Sequence, residues 1–275
     1  MEWRGNLRKL TASESSNSEE NVSYALKGAV VKEPLPAMEM ADWIGQFVKI
    51  EFTGRIHCRI TGQLIRKSFG EGMSYAAWME HPSATPSVFR PELSRIHEGI
   101  ALRDFDWENE HHNQPHYVYL AQTSGLKVGV TRCTNIPSRW HDQGAVGAVP
   151  IVQTPYRQLA GEIEVKLKSI LSDKTNYRQM LQDVQFDPVE MLEWVEHCFE
   201  ELGSEYEPFF VEDFEPKRFK YPVLKYPDKI TSKKLEKAQV IQGMLLGIKG
   251  QYLIFESGEV LNVRSHSGYE VIMTG

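Results

Sequence analysis

Cysteine is scarce in this chain: three in 275 residues, at Cys58, Cys133 and Cys198. So few, so scattered, they exclude a disulfide framework of the kind that holds small secreted domains together, and a reducing, cytoplasmic setting is expected. Also missing is any run near the ~18 apolar residues that a membrane span requires. The opening MEWRGNLRKL has no apolar stretch of the secretory type, so no secretion signal is expected there. Positive charge is not in excess: 37 acidic residues stand against 31 basic ones, a net charge of −6. That weighs against a general nucleic-acid coat protein and leaves room for a local basic face. No internal repeat is visible. What remains is an ordinary soluble composition, 41% hydrophobic and 25% charged, in a chain long enough for one large domain or about two to three small ones.

Both ends of the chain carry β character. Residues 6–10, 22–26 and 47–52 alternate apolar and polar in part, and 238–248, 251–255, 260–264 and 269–273 are separated by KG, SG and HSG turns. Open sheet edges are a liability, so 1–56 and 227–275 are expected to pair as a small β-barrel that encloses the middle of the chain. The acidic, serine-rich stretch 13–21 reads as a mobile loop. The middle is more helical. Tyr156, Leu159, Ala160, Ile163, Leu167, Ile170 and Leu171 fall on one helical stripe after Pro155. A second helix follows the Asp187-Pro188 start signal, with Met191, Leu192, Val195, Cys198, Phe199 and Leu202 on its apolar face and Gly203 as its stop. Residues 205–226, rich in proline and aromatics, read as an extended linker.

The most specific stretch runs from His116 to Glu164. Tyr117-Val118-Tyr119-Leu120 is strand-like, 122–125 is a turn, and Lys127-Val128-Gly129-Val130-Thr131 is strand-like again. A glycine inside a strand, here Gly129, marks a bulge or a close approach of another group. Asn135-Ile136-Pro137 opens a short helix with Arg139, Trp140 and His141, and the next helix carries Glu164. This order of elements and charges resembles the GIY-YIG nuclease core. In that family an aromatic pair on the hairpin, an arginine on the first helix and a glutamate on the second surround one phosphodiester. Cleavage asks for such a set: a carboxylate to hold a hard divalent cation, the cation and an arginine to neutralise charge building on the phosphate oxygens, and a tyrosine or bound water to handle the proton.

The resemblance implies Tyr119, Lys127, Arg139 and His141 as candidate catalytic groups. It further implies Tyr117, Arg132 and Asn176 as substrate contacts, and Glu164 as the ligand for Mg²⁺ or Mn²⁺. Val118-Tyr119 stands for the end of the GIY triplet and Lys127-Val128-Gly129 for YIG, so lysine replaces the second tyrosine. Taken singly, these residues also have ordinary readings: Tyr117 and Tyr119 as strand packing, Arg139 and Glu164 as a surface ion pair worth ~0–1 kcal/mol.

A broader resemblance rests on KSFGEGMSY, RPEL, HEG, PHYVYLA, SGLKVGVTR, IPSRWHDQGA and DKTNYR. It points to an uncharacterised bacterial family, a domain of unknown function with a cysteine-rich region ahead of a GIY-YIG-like core. Relative to that pattern the chain keeps Cys58. Thr61, Ser74 and Ala77 stand at the other positions of two CxxC pairs, and Ser87, Ser94, Ala101 and His112 at later ones. Residues 57–115 then read as a degenerate zinc-ribbon-like region held by Phe69, Tyr75, Trp78, Phe89, Leu93 and Trp107. The spacing of His57, Cys58, His111 and His112 matches no common tetrahedral site, so no structural zinc is expected. His111, His112 and His116 read as a polar loop or as phosphate contacts.

The expected fold is therefore α+β, a GIY-YIG-like hairpin-plus-helices core (116–204) inserted into a terminal β-barrel. Two functions stay open. One is a divalent-metal phosphodiesterase acting on nucleic acid. The other is a non-catalytic nucleic-acid-binding or protein-interaction scaffold, with a protein partner docking on the terminal barrel. No membrane association is expected.

Overall fold

In the computed structural model, which describes residues 1–15, 18–172 and 174–275, the two ends of the chain meet in one sheet. The N-terminal side contributes β1 (Glu2–Ser15), β2 (Ser18–Val30), β3 (Glu33–Pro34), β4 (Met38–Glu39), β5 (Phe47–His57) and β6 (Leu64–Ile65). Short helices α1 (Tyr75–Glu80), α2 (Pro86–Phe89) and α3 (Phe105–His112) follow. Next come the hairpin β7 (His116–Gln122) and β8 (Leu126–Arg132), then α4 (Ser138–Asp142), β9 (Gly147–Thr154), α5 (Arg157–Leu167), α6 (Tyr177–Met180) and α7 (Pro188–Leu202). The chain closes with β10 (Lys217–Arg218), β11 (Thr231–Lys233), α8 (Leu235–Ala238), β12 (Val240–Lys249), β13 (Tyr252–Phe255), β14 (Glu259–Asn262) and β15 (Tyr269–Thr274). The class is mixed α+β with sheet predominating. Among the described residues, no helix is long and apolar enough to cross a membrane.

The terminal sheet runs β11-β14-β13-β12-β5-β15-β1-β2-β3, with β4 on β2 and β6 on β5. β15 is the seam: it pairs β1 on one side and β5 on the other. The expected barrel does not close, because the edges are covered rather than joined. β3 and β4 lie on β2, and the backbone of Lys220 exchanges hydrogen bonds with Glu20 and Val22 farther along the same edge. β11 covers β14. Covering an edge satisfies its backbone groups as closure would.

The first two strands are longer than alternation predicts. Ser13–Ser15 and Ser18–Asn21, expected as part of a loop, belong to β1 and β2, while Ser16 and Asn17 lie outside the described residues. The ladder is a backbone property, so polar side chains extend it where both faces meet water. Ser13 and Ser23 pair through their hydroxyls at 2.9 Å.

The second sheet, β10-β9-β7-β8, sets β7 between its hairpin partner and β9. α7 follows its sequence signals closely. Asp187 accepts from the amide of Val189 at 2.8 Å, Pro188 opens the helix, and Met191, Val195, Cys198 and Leu202 are buried. Residues 205–226, expected as an extended linker, hold a single 3₁₀ turn at Glu207–Phe209 and the short strand β10, and pack on the core. Phe210 stacks on Phe199, Phe219 is buried, and the Tyr221 hydroxyl donates to the Ala145 carbonyl at 2.6 Å. Their apolar side chains merge both sheets into one core that includes Leu10, Trp43, Ile50, Val118, Trp140 and Phe255.

Candidate functional site

Residue pairing in the hairpin explains why its glycine is there. Tyr119 on β7 faces Gly129 on β8. A Cβ at Gly129 would lie 2.6 Å from the Tyr119 hydroxyl oxygen, so the missing side chain is what lets the tyrosine ring fold across the neighbouring strand. Tyr119 is only 1% exposed. Its hydroxyl accepts from Gln143 Nε2 at 2.7 Å, and the same amide group donates to the Arg139 carbonyl at 2.9 Å. Gln143 follows Arg139 by four residues, one helical turn, which puts both on the face of α4 that looks at Tyr119. The Tyr119 hydroxyl beside it is the main reason the Arg139 guanidinium is held above its ordinary value, with burial opposing.

Tyr119, Lys127, Arg132, Arg139 and Glu164 line one cleft of about 410 Å³. The α5 face adds more. Arg157, Gly161, Glu164 and Lys168 recur at helical spacing, and Arg157 and Lys168 also line the cleft. Arg157 is buried and pinned, donating to the carbonyls of Ser87 at 2.8 Å and Val88 at 2.9 Å. Burial lowers its guanidinium to about 10, Glu164 opposes that shift, and Arg139 and Arg132 add to it. Glu164 accepts from Lys168 Nζ at 3.3 Å. Among the described residues lining the cleft, five are Lys or Arg and one, Glu164, is acidic. In a chain of net charge −6 this is a focused positive potential, suited to an anion.

The opposite wall comes from 57–115. Ser83, Val88, Phe89, Pro91 and Trp107 line the cleft from that side. Close packing joins the walls: a Cβ at Gly161 would lie 2.2 Å from the Glu92 nitrogen and 2.6 Å from the Pro91 carbonyl carbon. Phe89, expected to hold this region together, is instead 68% exposed at the cleft. Phe69, Tyr75 and Trp78 do pack on one another, with centroids 5.2 to 6.3 Å apart.

Six of the positions read against the cysteine pattern lie in two groups, Cys58 with Thr61 and Ser74, and His112 with Ser87 and Ser94. Cys58 Sγ accepts from the amides of Ser74 at 3.2 Å and Thr61 at 3.5 Å. Deeper, His112 Nδ1 lies 3.3 Å from the Ser94 hydroxyl and 3.5 Å from that of Ser87, with burial the main reason its imidazole falls to about 3. His57 is engaged by Asn6 and His111 by the Trp107 carbonyl. No group of three or more His, Cys, Asp or Glu that could hold a metal is formed among the described residues.

Three sequence expectations fall elsewhere. His141 is fully buried, edge-on to Phe219 at 4.7 Å, and burial drives its imidazole down to about 4. The reason is helical geometry: residues two apart point to nearly opposite sides, so the turn that aims Arg139 at the cleft aims His141 into the core. Tyr117 is off the cleft, its hydroxyl against Cys133. Asn176 is exposed and caps α6, accepting from the Arg178 amide at 3.1 Å. Conversely, Arg157, Lys168 and Gln143 escaped the sequence reading. Their signal was available in the spacing from Glu164 and Arg139.

A family described as "Protein of unknown function (DUF2797)" matches residues 45–271. The chain belongs to this family. The match takes in the hairpin, α4, α5 and the 57–115 wall, so the whole cleft lies inside the family region. No curated protein matches the chain, and no solved structure does.

Proposed function

We propose that this protein is a divalent-metal-dependent phosphodiesterase acting on nucleic acid through a GIY-YIG-like site. The observation that carries this reading is the convergence of Tyr119, Lys127, Arg139 and Glu164 on one cleft with an excess of cations. A phosphodiester is an anion whose charge grows in the transition state, and fixed guanidinium and ammonium groups in a partly dry cleft stabilise that growth. Arg139, held by its charged and hydroxyl neighbours, binds the scissile phosphate. Lys127 supplies a second positive charge at the position of the GIY-YIG tyrosine, and Arg132 and Arg157 hold the flanking phosphate oxygens. The Tyr119 hydroxyl accepts from Gln143 and from the Arg139 guanidinium, which leaves its own proton to orient the attacking water.

Glu164 fits a divalent cation in the way Mg²⁺ is ordinarily held, by one or two carboxylates with waters and substrate oxygens completing the shell. Bound there, the cation would add Lewis-acid neutralisation of the phosphate oxygens. The test is a cleavage screen on single- and double-stranded DNA and RNA with Mg²⁺ or Mn²⁺, with Glu164→Gln as control. Cleavage by the parent and none by the variant is expected. Binding without cleavage by both would replace this reading with the second one, a nucleic-acid-binding or protein-interaction scaffold. That alternative is favoured by the contact of Glu164 with Lys168 and by lysine at position 127.

A further inference from the structure

The cleft does not end at its aromatic lip. Phe89 belongs both to the cleft and to an adjoining cavity of about 450 Å³ on the 57–115 side, and Ser83 and Val88 are shared as well. The second cavity is lined by Arg59, Trp78 and Arg264, with Glu71 as its one acidic residue among the described residues. Arg59 donates to the Ser83 hydroxyl at 3.2 Å through Nη2, while its Nε is buried with no hydrogen-bond partner among the described residues. Arg264 is braced by Glu71, Nε to Oε1 at 2.7 Å, which fixes its guanidinium in place. Trp78 stacks on Phe69 at 6.1 Å and 26°, Lys67 sits 5.1 Å over that ring, and Tyr75 beside them is 58% exposed. Phe89, 68% exposed, is a large apolar ring left in water at the junction of two cation-lined hollows.

We infer that this second groove receives the single-stranded flank of the nucleic acid whose phosphate sits in the cleft, with a base stacked on Phe89 and the backbone following Arg59 and Arg264. The inference rests on the phosphodiesterase reading and adds the substrate class, single-stranded rather than duplex. Cations beside an exposed aromatic face are what an unpaired strand needs, because each base presents a π-face and each linkage a charge. In a duplex the base faces are occupied by one another, so Phe89 would have no partner.

The test uses the full chain and two fluorescent probes, a single-stranded DNA of about 12 nucleotides, within the site size of such grooves, and a duplex of the same length. Glu164→Gln serves as the background, to prevent cleavage. The single strand should bind about tenfold or more tightly than the duplex, and Phe89→Ala should lower its affinity about tenfold. Phe89→Trp should restore it, which separates stacking from a change in folding. Arg264→Gln should weaken the single strand and reduce the salt dependence of its binding by about one contact. Equal binding of both probes, or single-strand affinity unchanged in Phe89→Ala, overturns the groove, as does equal affinity for polyglutamate of similar length. The cleft reading fails separately, by Arg139→Ala binding the single strand as the parent does.

Discussion

Residues 116–168 and residues 57–115 face each other across the cleft, and they reach it by different means. The first wall is made of regular elements. The register of β7 and β8 sets Tyr119 over Gly129, and the helical turn sets Arg139 with Gln143, and Arg157 with Glu164 and Lys168. The second wall is made of helices of eight residues or fewer and tight turns, held by side chain-to-backbone bonds such as Arg157 to Ser87 and Val88. The first wall brings the Lys, Arg and Glu side chains of the cleft. The second brings mainly uncharged side chains, among them Phe89 and Trp107. A regular element can aim several charges at once, whereas an irregular segment contributes shape and surface and depends on its neighbour for order.

The largest expected effects fall on the charged wall. Glu164→Gln should abolish cleavage, and Arg139→Ala should lower its rate by ~10²–10³-fold, the size seen when one preorganised electrostatic partner is lost, both with thermal midpoints near that of the parent. Rates within a few-fold of the parent would place the chemistry elsewhere. The seam comes next. Gly161→Ala gains ~1 kcal/mol of helix propensity but drives a methyl group to 2.2 Å from the Glu92 nitrogen, an overpacking worth ~1–3 kcal/mol or more. Net destabilisation by denaturant titration is expected; a stabilised variant would mean that the walls are not in close contact.

Acid should weaken both walls together. His112 at about 3, His116 at about 4 and His141 at about 4 are all depressed chiefly by burial, below an ordinary value of about 6.5. The unfolded chain therefore binds more protons than the folded one from about pH 6.5 downward, and stability falls with pH across that window. Each group costs up to ~1.4 kcal/mol per pH unit until its folded value is reached. A stability that is flat between about pH 6.5 and 4 would show these imidazoles to be hydrated. The smallest effect is at Asn176, where removing the cap of a single helical turn should cost ~0.5–1 kcal/mol and leave binding untouched. A binding defect in Asn176→Ala would restore it to the site.

The same contrast accounts for what could be read in advance. The hairpin, α7 and the terminal strands follow from alternation and capping, which are local. The helix faces of Arg157, Gln143 and Lys168 were equally local, but a family pattern drew attention to His141, which helical geometry turns inward. The barrel failed for a reason no single segment carries: β3, β4 and the backbone of Lys220 cover the edge of β2. Exposure of Phe89 was unreadable because an aromatic residue in an irregular segment packs or protrudes according to partners distant in sequence.

The most direct test of the two-walled anion site is the salt dependence of nucleic-acid binding. A single-stranded probe should lose affinity steeply as salt rises. The logarithmic slope should become shallower by ~0.7 in Arg139→Ala, the loss of one phosphate contact on a single strand. Binding that ignores salt, or a slope unchanged by that substitution, would contradict the account.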